Sequence, residues 1–208
     1  LVSARKKMNA VRAKRVRPHL DDKILSSWNG LMLGAVARAY AVLGDKEYLS
    51  AAKANNDFIL RTFWDAKTKT MYHRWRDGER DTVQLLDAYA FQLDGTLHLY
   101  EATLEAKHLQ QAVDLADRMI ELFYDKENGA FWQGTGDGDL QIRMKEDYDG
   151  AMPSANSVAA LALLKLHKIT EKKIYHEKAK STLQLFAANL ERGARGVPYL
   201  MMALDFYL

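Results

Sequence analysis

The sequence predicts an all-α fold, an α/α toroid, on three observations. Helices that are apolar almost all round alternate with amphipathic ones. The pair recurs after about 60 residues. One connection of each pair is short, while the other is long and carries short β-hairpins. A buried inner helix followed by a half-buried outer one, repeated around an axis, gives such a ring.

Taken in order, residues 3–16 read as a helix with Met8 and Val11 on one side. Pro18 is expected to stop it, because proline disfavours helix in the residue before it. Ser27 is the expected N-cap of an apolar helix from Trp28 to Leu43. Gly44 ends that helix, and Asp45 caps an amphipathic one running to about Trp64. Aromatic residues around Asp77-Gly78 predict a β-hairpin. An apolar helix over 84–104 and an amphipathic one over 107–124 follow. A second hairpin is expected around the turn 134–138, then an apolar helix over 154–168 and an amphipathic one over 172–191. Residues 198–207 begin a further apolar helix.

The repeat is visible by offset. A shift of 60 sets Tyr40 on Tyr100, Ala52 on Ala112, Asp57 on Asp117, Phe63 on Phe123 and Asp65 on Asp125. A shift of 127 sets Asn29 on Asn156, Ala35 on Ala162, Tyr48 on Tyr175 and Ala52 on Ala179. About three hairpins fit the chain, so the ring is expected to be incomplete, with one domain over residues 1–208. The rest of a longer parent protein, or a second copy, would close it. Inner helices cut off at the break would leave apolar flanks that favour association.

The 208 residues, 48% hydrophobic and 27% charged, suit one globular domain. Without cysteine there is no disulfide, no zinc–thiolate site and no thiol catalysis. Cytoplasmic location is the default expectation, and no stretch reaches the length of a membrane span. Residues 1–17 carry seven basic side chains and no acidic one. That run lacks the interleaved aromatics of a nucleic-acid stacking surface, so a solvated helix is expected there. His73, His98, His108, His167 and His176 show no metal-ligand spacing on one helix face, and neither metal nor cofactor is expected.

The predicted topology gathers three segments on the long-loop rim, at the N-termini of the inner helices. The first holds His19, Asp21, Asp22, Lys23, Trp28 and Asn29. The second holds Asp81, Asp87 and Tyr89. The third holds Lys145, Glu146, Asp149, Ser154 and Asn156. Carboxylates with aromatics suit a sugar, since aromatic faces cover the ring while carboxylates bind hydroxyls or move protons. The catalytic candidates are Asp21, Asp22, Asp87, Glu146 and Asp149. The substrate-binding candidates are Lys23, Trp28, Asn29, Tyr89, Lys145 and Asn156. Helix capping competes as the role of Asp22 and Asp87, core packing as that of Trp28, and loop bracing as that of Asn29 and Asn156. Ser154 reads as a plain N-cap.

The stretches Arg17-Pro18, Asp21-Asp22-Lys23-Ile24-Leu25 and Trp28-Asn29-Gly30-Leu31 resemble the spermatogenesis-associated protein 20 family and its bacterial relatives. So do Asp87-Ala88-Tyr89-Ala90, Leu99-Tyr100-Glu101-Ala102 and the run from Asp149 to Asn156. The resemblance implies a thioredoxin-like domain followed by a toroid related to six-hairpin glycosidases and N-acylglucosamine 2-epimerases. This sequence matches the toroid part only. Carbohydrate chemistry (sugar binding, glycoside hydrolysis or epimerisation) is the function so implied. The alternative is a non-catalytic scaffold that docks a thioredoxin-like domain or another protein.

Overall fold

A computed structural model describes residues 1–136 and 143–208. Three antiparallel helix pairs form half of an α/α toroid. The inner helices are α2 (Ser26–Leu43), α4 (Leu86–Thr103) and α6 (Ala155–Thr170), each followed by its outer partner. The outer helices are α3 (Lys46–Thr62), α5 (Ala106–Phe123) and α7 (Lys173–Leu185). Helix α9 (Pro198–Tyr207) is the fourth inner element. Neighbouring inner helices pack in the order α2, α4, α6, α9.

The inner helices differ in burial. Helix α4 buries every residue from Ala88 to Leu99, and α6 every residue from Ala155 to Leu164. Helix α2 does not: Met32 and Leu43 are 57% and 65% exposed. Its apolar surface on all sides predicts burial, but α2 stands at the open edge of the half-ring with no neighbour on that side.

Outer helices bury one stripe. Ala52, Ala112 and Ala179, matched by the repeat, are fully buried. Phe63 and Phe123 end their helices in the core, and the aspartate two residues on closes the next turn in both repeats. Asp65 accepts the amides of Lys67 and Thr68, and Asp125 those of Glu127 and Asn128.

The long loops hold short strands. Strand β1 (Ile24–Leu25) pairs antiparallel with β4 (Arg74–Arg76), which pairs with β5 (Glu79–Arg80) across the Asp77-Gly78 turn. Strands β2 (Trp64–Asp65) and β3 (Thr70–Met71) form a second ladder. Of the expected second hairpin, Tyr124 bridges Phe131 and the Gln133 amide donates to the Met144 carbonyl. Most of its turn and return strand lie outside the described residues.

Three local expectations need correction. Helix α1 (Val2–Arg12) ends well before Pro18 and buries no residue. Its last turn tightens through bonds from Lys14 to Val11 and from Arg15 to Arg12, with no packing to carry it further. Ser27 is not a cap, because α2 starts one residue earlier. There the Ser26 amide and hydroxyl both donate to the His73 carbonyl. The third outer helix breaks at Phe186, whose ring is buried in the core, and resumes as α8 (Ala187–Arg192). Asp45 and Ser154 do cap their helices, each accepting a first-turn amide.

Candidate functional site

Two cavities lie on the long-loop rim. Pairing of β1 with β4 builds the first, of about 600 Å³, by setting Leu25 opposite Arg74. Asp21, Lys23, Trp28, His73 and Asp81 face it. Lys23 pairs with Asp21 at 2.9 Å and Arg76 with Asp22 at 2.8 Å. The hydrogen bond from Lys23 holds the Asp21 carboxyl below its ordinary value. Neither aspartate caps α2. Trp28 is 56% exposed, so it is not a core residue.

The second cavity, about 230 Å³, is formed where α4 starts beside the loop entering α6. Asp87, Gln133, Glu146, Tyr148 and Ser154 line it. Asp87 sits in the first turn of α4, half-buried, and its Oδ1 has no hydrogen-bond partner. Burial pushes its carboxyl up, while the nearby His73 and Ser27 and the Ala88 amide pull the other way without cancelling that effect. The buried Gln133 Oε1 is likewise without a partner. Glu146 is exposed at this cavity, and its carbonyl accepts from Asn156.

The remaining sequence candidates brace the rim. Asp149 accepts the Ser154 amide on one oxygen and the Tyr199 amide on the other, both at 2.7 Å. Lys145 donates to Asp125 at 2.7 Å and to the Gly129 carbonyl, and lies over the Trp132 ring. Asn29 donates to the Leu25 carbonyl and accepts from Asn55. Tyr89 and Asn156 are fully buried and do one job in successive repeats. The Tyr89 hydroxyl accepts the Met71 amide, and the Asn156 carboxamide accepts the Phe131 amide, 60 residues on.

So Asp21, Lys23 and Trp28 come together with Asp81, and Asp87 comes together with Glu146. His73 and Gln133 escape sequence reading. His73 lies in a loop whose approach to α2 depends on strand pairing, and Gln133 carries no local signal of a site. Among the described residues, no group of three metal-ligating side chains could hold an ion. Among them too, no helix is long and apolar enough to cross a membrane.

No protein-family model matches the chain. Human spermatogenesis-associated protein 20 is 35% identical over 99% of it, and the rat protein 34% over 96%. The chain is a homologue of spermatogenesis-associated protein 20. It spans 27% of the human relative's length. An uncharacterised Caenorhabditis elegans protein is 31% identical over 93% of the chain and 27% of its own length. Among solved structures, a glycoside hydrolase family 76 alpha-mannanase of Bacteroides thetaiotaomicron superposes with a TM-score of 0.71 at 19% identity. The match covers 93% of this chain and 53% of the mannanase, as a half-ring should. A cellobiose 2-epimerase of Spirochaeta thermophila gives 0.65 at 18% identity, over 79% of this chain and 43% of its own. The fold of this chain is thus the α/α toroid of these glycosidases and epimerases.

Proposed function

We propose that this half-toroid is carbohydrate-active and that sugar binds and reacts on its long-loop rim. The observation that carries the reading is Asp87, whose unpartnered oxygen and raised carboxyl share one cavity with Glu146. Glycosidic bond cleavage needs two carboxyl groups in different protonation states. Asp87, whose carboxyl burial pushes up, is the group that gives a proton to the leaving oxygen. Glu146, in solvent, is the carboxylate that acts on the anomeric carbon or on a water. Trp28 covers a sugar face, and Asp21 and Lys23 bind hydroxyls in the adjoining cavity. Support comes from the neighbours as well. An inactive variant of a Salegentibacter alpha-1,6-mannanase, with two adjacent aspartates exchanged, was solved with alpha-1,6-mannotriose. Its TM-score to this chain is 0.64 at 16% identity.

The test is a thermal-shift and turnover assay with alpha-1,6-mannotriose and cellobiose. A saturable rise in melting temperature that Asp87→Asn and Glu146→Gln both abolish, while each still folds, supports the reading. No rise in the unmodified chain overturns it.

A scaffold is the second reading, favoured by the consumption of Asp149, Lys145, Tyr89 and Asn156 in bracing bonds. It predicts that Asp87→Asn stabilises the fold and changes no ligand response.

A further inference from the structure

Three side chains from three segments meet where the two rim cavities adjoin. His73, between β3 and β4, faces the larger cavity, and Asp87, in the first turn of α4, faces the smaller. Ser27, in the first turn of α2 and 1% exposed, lies within reach of Asp87. Close packing holds the group together. Gly30 and Phe91 bring α2 and α4 into backbone contact one turn beyond Ser27 and Asp87. The His73 main chain is pinned on both sides. Its amide donates to the Val83 carbonyl at 3.0 Å, and its carbonyl accepts from the Ser26 amide at 3.0 Å and the Ser26 hydroxyl at 3.1 Å.

Ser27 Oγ, His73 Nδ1 and Asp87 Oδ1 are all buried, and none has a hydrogen-bond partner among the described residues. Unpaired buried polar atoms cost stability, and folded proteins keep few of them. Packing alone does not call for three at one junction. Burial pushes the Asp87 carboxyl up, and of the groups that draw it back His73 does most, ahead of the Ala88 amide and Ser27. His73 therefore acts on Asp87 across the junction. Its other ring nitrogen, Nε2, is not enclosed in this way and makes no hydrogen bond among the described residues, which leaves it open at the larger cavity.

Size favours the His73 side for the ligand. Small-molecule clefts run to about 300–1,000 Å³. The larger cavity, about 600 Å³ and bordered by Trp28, lies in that range, and the smaller, about 230 Å³, lies below it.

We infer that His73 has two duties in this site: through Nδ1 it positions the Asp87 carboxyl, and through Nε2 it binds a hydroxyl of the sugar seated beside Trp28. The inference rests on the rim reading. A hydroxyl both donates and accepts, so it matches Nε2 in either tautomer of the ring and in the cation. On the other side a single proton, carried by either atom, is enough to join Nδ1 to Asp87 Oδ1.

Two variants of the 208-residue chain separate the duties, because an asparagine amide reaches the place of Nδ1 and a glutamine amide that of Nε2. Calorimetry reads the affinity for alpha-1,6-mannotriose and cellobiose. Carbon-13 NMR of labelled aspartate reads the titration of the Asp87 carboxyl, with Asp87→Asn identifying its signal. His73→Gln should keep the sugar affinity while the Asp87 midpoint moves to higher pH. His73→Asn should hold that midpoint nearer to its place in the unmodified chain, while the affinity falls about two- to tenfold, the worth of one hydrogen bond. His73→Ala should lose both. Glu146 and Tyr148, the other titratable groups at the Asp87 cavity, are unchanged across the series. The same response of both readouts in the Asn and Gln variants would reduce His73 to a wall and overturn the inference. A midpoint that no His73 variant moves overturns the positioning duty. If the unmodified chain binds neither sugar, the rim reading fails and the ligand duty with it, while the carboxyl titration, which needs no sugar, still decides the positioning. Should His73→Ala fail to fold, the comparison of Asn with Gln decides alone.

Discussion

A Cβ placed on Gly95 would lie 2.5 Å from the carbonyl oxygen of Gly30. The contact is reciprocal in kind, since a Cβ on Gly30 would meet the Phe91 backbone at 2.6 Å. Helices α2 and α4 therefore touch backbone to backbone, which sets the spacing of the rim residues they carry. Gly95→Ala should force the two helices apart and destabilise the chain by about 1–3 kcal/mol, the usual cost of overpacking. Urea unfolding measures it. A loss below about 0.5 kcal/mol, the ordinary range for surface changes, would mean that the helices are free to slide.

Asp149 separates bracing from chemistry. Its two oxygens tie the starts of α6 and α9 to one loop. Asp149→Ala leaves two amides without that acceptor, at a cost of about 1–3 kcal/mol for each one that stays unsatisfied. Its melting temperature should fall. Asp149→Asn keeps one acceptor and should recover part of the loss. Normal stability of Asp149→Ala would release this residue for a catalytic role.

What was legible in the sequence was local or periodic. Gly44 in the left-handed region and Ser154 at a helix start are read from near neighbours, and both act as expected. Ala52, Ala112 and Ala179 are read from the repeat. The site was less legible because it depends on pairing between distant segments. Leu25 meets Arg74 across 49 positions, and only that meeting sets His73 beside Ser26 and opens the cavity next to Trp28. No periodicity reveals that Asp87 keeps an unpartnered oxygen while Asp149 spends both. Asn29 and Asn156 match by offset and both bond loop carbonyls, yet the partner of Asn156 in function is Tyr89, a different residue type.

The Lys145–Asp125 contact predicts an acid response. Lys145 holds the Asp125 carboxyl far below its ordinary 3.8, helped by Asn128 and the Glu127 amide. A depressed folded value means stability that is complete above the unfolded value and lost as pH falls through the folded one. Acid should therefore weaken the hairpin from about pH 4 downward. Lys145→Met removes the largest cause, so its acid-unfolding midpoint should move to higher pH. Circular dichroism across pH 2–6 checks the sign, and an unmoved midpoint would assign the acid response to other carboxylates.

The open edge of α2 predicts association. Trp28, Met32, Ala35, Ala39 and Leu43 recur at helical spacing along one side of the helix. Trp28, Met32 and Leu43 are all more than half exposed, on a helix whose counterparts α4 and α6 are buried between neighbours. Contiguous apolar surface of that extent favours partners over water. Sedimentation velocity should show the average mass rising with concentration. Met32→Glu combined with Leu43→Glu should return the chain to a monomer, while its helical circular dichroism stays unchanged because those side chains touch solvent rather than core. A mass that stays monomeric at high concentration in the unmodified chain would mean that the α2 edge is satisfied by solvent alone.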